Sequence, residues 1–268
     1  MITFRRVTIL FFILLFTINL VHFLGCRLAW FPPLICEHIY TYMLILFGLY
    51  ISVSVTMAFF IRSGFHHASH CHGQTKEKIC ALTFDDSPDA MNTPLILSIL
   101  NRERIRATFF VIGAKLTGNE ALLKEICAAG HLIGNHSWNH SVWFDFFPAK
   151  KMQREISRTS LAVSEIIGKA PLLFRPPFGV VNPALHRAIT RLGYHVIGWN
   201  VRSYDTVHRD PHKTIARILK RVTPGSIILL HDHLPESPEI LEELVAGLKR
   251  NGYNVVPLNQ LIPIEAYE

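Results

Sequence analysis

Two uncharged apolar runs, Val7 to Leu24 and Ile39 to Ile61, constrain this chain more than any other feature. Neither contains Lys, Arg, Asp or Glu, and neither shows the polar face, repeating about every 3.6 residues, that a helix of a soluble domain presents. Each is long enough to cross a hydrocarbon core about 30 Å thick. We read them as two retained transmembrane helices joined by a short loop, residues 25–38, together forming a membrane anchor over residues 1–61. Arg5 and Arg6 would also suit a signal peptide, but no small-x-small cleavage site follows Leu24.

Beyond Ile61 the composition becomes that of a globular domain. Residues 78–268, about 190 residues, suffice for one well-buried domain. The formal charge of +7 comes from scattered basic residues with no aromatic-interleaved stripe. That favours attraction to lipid headgroups over a nucleic-acid partner. Cysteines at 26, 36, 71, 80 and 127 form neither a CxxC zinc motif nor the even-numbered framework of a disulfide scaffold. His66, His67, His70, Cys71 and His72 crowd residues 62–77, which read as a His-rich linker near the membrane. A metal site there would lack the surrounding groups that orient ligands.

From Lys78 onward short apolar runs alternate with amphipathic stretches, the pattern of β-α units around a parallel sheet. The expected strands are 79–84, 107–112, 132–135, 172–175, 194–199, 226–231 and 253–256, with helices at about 93–103, 119–129, 149–168, 183–192, 211–221 and 236–250. Asn119 caps one helix, and Gly130, Gly168 and Gly252 follow helix ends. Seven units in this length predict an α/β fold, a distorted (β/α)7 barrel, rather than an open sheet.

The polar residues fall at strand ends: Asp85 and Asp86 after the first, His136 and His140 after the third, Arg175 on the fourth, Asp205 after the fifth, His231 on the sixth. A barrel gathers these on its C-terminal rim. Adjacent carboxylates repel unless a cation or hydrogen-bond network offsets them. In a helix or turn, His136 and His140 face one side, a spacing suited to one metal, although alone such a pair is more often two surface histidines. With Asp86 they make an open, catalytic ligand set, and Asp85 can then serve as base. Arg175 could orient Asp85. His231 is a candidate general acid, supported by Asp205 or, in competition, by Asp232.

These segments resemble the NodB homology domain of polysaccharide deacetylases, the family-four carbohydrate esterases. Thr83-Phe-Asp-Asp-Ser-Pro88 is similar to TFDDGP, His136-Ser-Trp-Asn-His140 to H-[ST]-x-x-H, Arg175-Pro-Pro-Phe-Gly179 to R-x-P-[YF], and Leu229-Leu-His231 to L-x-H. Over residues 78–257 the resemblance implies a base at Asp85, metal ligands at Asp86, His136 and His140, an acid at His231 supported by Asp205, and an oxyanion donor at the Phe178 N–H, with Pro177 and Trp199 beside it. It implies zinc or cobalt as the metal and release of acetate from N-acetylhexosamine units of a chitin fragment or cell-wall glycan. Ser87 stands where the family has glycine, which would cost strain if φ were positive. Arg202 and Thr206 replace an aspartate and a tryptophan, altering one wall. Trp138 and Trp143 suit either sugar stacking or core packing.

A NodB-like binding protein without turnover, and a hydrolase of a non-sugar amide, are the competing functions. No obligate protein partner is evident. Arg5, Arg6, Arg62, Lys76 and Lys78 favour a cytoplasmic domain by the positive-inside rule. Cell-wall substrates require the extracytoplasmic side of the inner or plasma membrane, and the resemblance tips the expectation that way.

Overall fold

The computed structural model describes residues 3–208 and 210–268. Helices α1 (Phe4–Arg27) and α2 (Pro33–Ala58) form an antiparallel hairpin, both long and apolar enough to cross a membrane. Tyr50 stacks on Phe11 at 4.4 Å and shares a 2.8 Å hydrogen bond with Thr8. Asn19 reaches Met43, and Cys26 is disulfide-bonded to Cys36 at the turn. The cysteine count had not suggested that bridge. The helices also outrun the apolar runs, reducing the loop to residues 28–32. Polar and charged residues ended those runs, but they do not end backbone hydrogen bonding, and Pro33 suits a first helical turn.

The domain is a parallel sheet curled into a distorted barrel with helices outside. Strand β1 (Ile79–Ser87) is central, flanked by β2 (Thr108–Val111) and β7 (Ser226–His231). The order continues through β3 (Leu132–Asn135), β4 (Leu173–Phe174) and β5 (His195–Val196) on one side, and β6 (Val201–Arg202) on the other. Strand β8 (Asn254–Val255) pairs with the start of β1. Among the described residues there are eight strands where seven were expected. Within the run expected as one strand over 194–199, His195 and Val196 pair with β4 as β5; the chain then crosses the seam, and Val201 and Arg202 pair with β7 as β6.

Helices α3 (Asn92–Glu103), α4 (Glu120–Ala128), α5 (Ala149–Ile167), α6 (Pro183–Leu192), α7 (Pro211–Arg221) and α8 (Ser237–Arg250) follow the pattern expected, with a short α9 (Leu258–Leu261) added. Strand β1 is buried on both faces, so its sequence is nearly continuously apolar. Cys80, Leu82 and Phe84 pack under the helices, while Ala81 joins Phe110, Leu173, Ile197 and Ile227 inside the barrel. The period of two carries the inner face on to Thr83 and Asp85.

Residues 62–77, expected as a linker, are built into this barrel. His70 pairs with Ile197 and His72 with Ser226, so the segment spans the seam between β5 and β7. Its side chains diverge: His66 is buried against the Ser54 carbonyl, His67 meets His186, and Cys71 packs against Gly198. Among the described residues they form no metal-binding group.

Candidate active site

Asp85 and His231 are register partners at the C-terminal ends of β1 and β7, which fixes them side by side on the rim. Asp85 is buried, and Arg175 Nη1 donates to its Oδ1 at 2.7 Å. Arg175 is itself fully buried. It also donates to Thr83 Oγ1 at 2.8 Å and to the carbonyls of Ile197 and Gly198 at 3.1 Å, with its guanidinium 4.1 Å from the Phe110 ring. Burial lowers the Arg175 pKa and the adjacent Asp85 carboxylate opposes this.

Asp86, His136 and His140 bring their ligand atoms within 4.8 Å of one another. His136 Nε2 lies 3.6 Å and His140 Nε2 3.5 Å from Asp86 Oδ1. The His136 Nδ1–H donates to the Arg175 carbonyl at 2.7 Å, which turns the Nε2 lone pair toward Asp86. Asp86 Oδ1 is buried with no hydrogen-bond partner. An orphaned carboxylate oxygen between two imidazole nitrogens fits a divalent metal. Burial would raise the Asp86 pKa, but His136, His140, His231 and His233 outweigh it and hold the carboxyl low. Burial, then His136, pulls His140 down to about 4, so its ring is neutral and able to ligate.

The two histidines meet through a tight turn, not a helix, with Ser137 and His140 at φ 68° and 46°. Asp86 (65°), Phe178 (55°) and Tyr204 (60°) share this left-handed backbone on the same rim. Such strain persists only where surrounding structure enforces it, and it gathers at functional sites. Ser87 is not among these residues, so the expected penalty of a missing glycine does not arise; Asp86 carries the strain instead.

His231 Nδ1 and its backbone N–H both bond Asp205, at 2.8 and 2.9 Å. Asp232 turns away and accepts a hydrogen bond from Thr93 at 2.6 Å; burial pushes its carboxyl up to about 6. Two neighbours of Asp86 escaped sequence reasoning. His233 Nδ1 lies 3.5 Å from Asp86 Oδ2, and Lys115 Nζ donates to the Asp86 carbonyl at 2.6 Å. The alternation His231-Asp-His233 placed the first on the face of His231 and could have revealed it. Nothing local marks Lys115.

Asp85, Asp86, His136, His140 and His231, with Phe178, Trp199, Arg202 and Thr206, line a cavity of about 240 Å3. The exposed Phe178 ring packs edge-on to His140, and Pro177 beneath it is buried. Trp138 is a packing residue, against Gly113 and 3.7 Å from the Arg158 guanidinium. Trp143 is exposed beside Phe146.

The sequence model of the polysaccharide deacetylase family matches residues 72–197. The peptidoglycan-N-acetylglucosamine deacetylase PgdA of Listeria monocytogenes is 34% identical over 188 residues, 70% of this chain and 39% of that protein. The chain therefore spans about two fifths of that relative's length. A peptidoglycan-N-acetylglucosamine deacetylase of Bacillus cereus is 32% identical over 191 residues, 69% of this chain and 89% of its own. A solved peptidoglycan N-acetylglucosamine deacetylase in complex with 4-naphthalen-1-yl-N-oxidanyl-benzamide superposes with a TM-score of 0.71 at 27% identity, covering 75% of this chain and 95% of that one.

Proposed function

This chain belongs to the polysaccharide deacetylase family, and we propose that it is a metal-dependent hydrolase removing N-acetyl groups from N-acetylhexosamine units of a cell-wall glycan. One observation carries the reading: the Asp86, His136 and His140 cluster shares a cavity with a buried carboxylate, Asp85, and a carboxylate-supported imidazole, His231.

Two imidazoles and a carboxylate suit zinc, with cobalt as the alternative. When bound, the metal supplies polarisation of the acetyl carbonyl and acidification of a water molecule. Asp85 acts as base. Its Oδ1 is engaged by Arg175, leaving Oδ2 to accept the proton of the attacking water. The Phe178 N–H stabilises negative charge developing on the carbonyl oxygen. His231 donates its proton to the leaving nitrogen as the C–N bond breaks, giving acetate and a free amine. Burial alone would lower the His231 pKa; the hydrogen bond and charge of Asp205, then Asp85 and Asp86, outweigh it and raise the pKa. The imidazole thus stays protonated to a higher pH than an ordinary histidine, as an acid working near neutrality requires. Pro177 and Trp199 shape the wall beside the acetyl group.

The compound in complex with the structural relative supports a metal by its chemistry, since an N-oxidanyl amide offers two oxygens to one ion. The full chain in detergent is expected to release acetate from N-acetylglucosamine oligomers or peptidoglycan, to stop with chelator, and to recover with zinc or cobalt. A protein that binds zinc yet releases acetate from no acetylated glycan would refute the deacetylase reading.

The α1–α2 hairpin anchors the domain to the membrane. Peptidoglycan lies outside that membrane, the reason for assigning the domain to the extracytoplasmic face. If both helices cross, the Cys26–Cys36 end then lies in the reducing cytoplasm. The Cys26–Cys36 bridge of the structure is therefore compatible with this assignment only if α1 and α2 do not both cross. A bridged pair, together with a C-terminal fusion reporter active only in the cytoplasm, would reverse the assignment and agree with the basic residues flanking the helices.

A further inference from the structure

A second cavity, of about 260 Å3, adjoins the first and shares Trp199 and Arg202 with it. Its cationic lining is Arg62, Arg202, Arg217 and Arg221, and no Asp or Glu lines it. Among the described residues, the arginines in ion pairs with carboxylates are Arg102 and Arg175, so these four have no protein counter-charge. Two are held in place. Arg217 Nε donates to the Arg202 carbonyl at 3.1 Å, and both guanidiniums lie against the Tyr204 ring, at 4.2 and 4.8 Å. Gathering four like charges around one cavity is unfavourable unless an anion offsets them, and guanidinium forks match phosphate oxygens in particular.

The cavity's remaining lip is apolar and belongs to the anchor. Phe59 and Phe60, exposed at the end of α2, line it beside Ile61. One side of the cationic floor therefore opens toward Asp85 and His231, and the other toward the surface of a helix long enough to cross a membrane. A soluble neutral oligosaccharide needs neither feature. A sugar joined through phosphate to a lipid needs both.

We propose that this cavity holds the phosphate or diphosphate of a lipid-linked N-acetylated sugar, with the sugar in the Asp85–His231 cavity and the lipid chain along the end of α2. The proposal rests on the deacetylase reading and narrows its substrate class. Anionic headgroups of bulk lipid offer the same phosphate chemistry, so the test must separate the two sources.

The full chain in neutral detergent is given three substrates bearing the same N-acetylglucosamine: a short polyprenyl diphosphate ester, the water-soluble uridine diphosphate ester, and a neutral chitooligosaccharide. The expected order of kcat/KM is lipid-linked first, with the neutral sugar at least about tenfold lower, as the loss of one charge-assisted contact implies. The exposed pair Arg62→Gln with Arg221→Gln is expected to reduce that preference by about tenfold or more, mainly through KM. Binding of the polyprenyl diphosphate sugar is also measured directly, on the wild type and the same variant, with chitooligosaccharide as the neutral control. If no acetylated sugar is turned over, the deacetylase reading fails while tight, arginine-dependent binding still upholds the cavity's role. Equal preference for neutral and lipid-linked substrate, or a preference untouched by the double variant, overturns the proposal. So does a variant that loses only its association with phosphatidylglycerol vesicles, which would make the cavity a headgroup dock.

Discussion

Asp85→Asn is expected to keep its metal and lose turnover by about 10²–10⁴-fold, the usual contribution of a general base, whereas His136→Ala is expected to lose the metal itself. The two aspartates are neighbours in sequence but occupy different environments. Asp86 Oδ1 stands unpartnered between two imidazole nitrogens, while Asp85 has one oxygen fixed by Arg175 and its other oxygen 3.8 Å from His136 Nε2. Asparagine at 85 preserves the acceptor facing Arg175 and removes only the capacity to take a proton. Alanine at 136 removes the Nε2 that faces Asp86 together with the Nδ1–H that bonds the Arg175 carbonyl. Elemental analysis of dialysed protein beside acetate release separates the roles. Equal metal loss in the two variants would mean that Asp85 ligates as well, and the division between base and ligand would fall.

The gathering of these residues at one rim was legible in the sequence because strand ends are legible. Apolar runs of four to six residues, each followed by an amphipathic helix, announce a parallel sheet, and the sheet sends the residue after each run to one rim. Asp85, His136, Arg175 and His231 follow from that rule alone. The rule fails where pairing is brief or nonlocal. Strand β6 is two residues long and exists only because the chain crosses the seam. The pairing of His70 and His72 is made by backbone, to which their imidazoles, so conspicuous in the sequence, contribute nothing.

The turn at His136–His140 was open between helix and loop, and the structure closes it with two left-handed residues that carry side chains. Sequence rules assign that conformation to glycine, so a strained site is the place where they are expected to miss. The same limit explains Ser87, whose glycine counterpart suggested a positive φ that the backbone places one residue earlier, at Asp86. The four-arginine cavity was invisible for a different reason. Its residues come from the end of α2, from β6 and from α7, and the basic residues looked merely scattered along the chain.

Arg175→Ala should be the most destabilising of these substitutions, lowering the free energy of unfolding by about 3–5 kcal/mol, the usual result of removing one partner from a buried ion pair. For a domain of this size that corresponds to a fall in Tm on the order of 10 °C. The guanidinium is fully buried and satisfies four acceptors at once: Asp85, Thr83 and the carbonyls of Ile197 and Gly198. Those carbonyls belong to the stretch where the chain crosses the seam, so the loss is felt by the barrel's closure as well as by Asp85. Once Arg175 is gone, Asp85 is a buried charge without a cation, and neutralising it relieves much of the penalty. Asp85→Asn added to Arg175→Ala should therefore recover part of the lost stability while recovering no activity. A Tm unchanged by Arg175→Ala, or a double variant whose Tm equals the sum of two independent losses, would show that the pair is not coupled as its 2.7 Å contact requires.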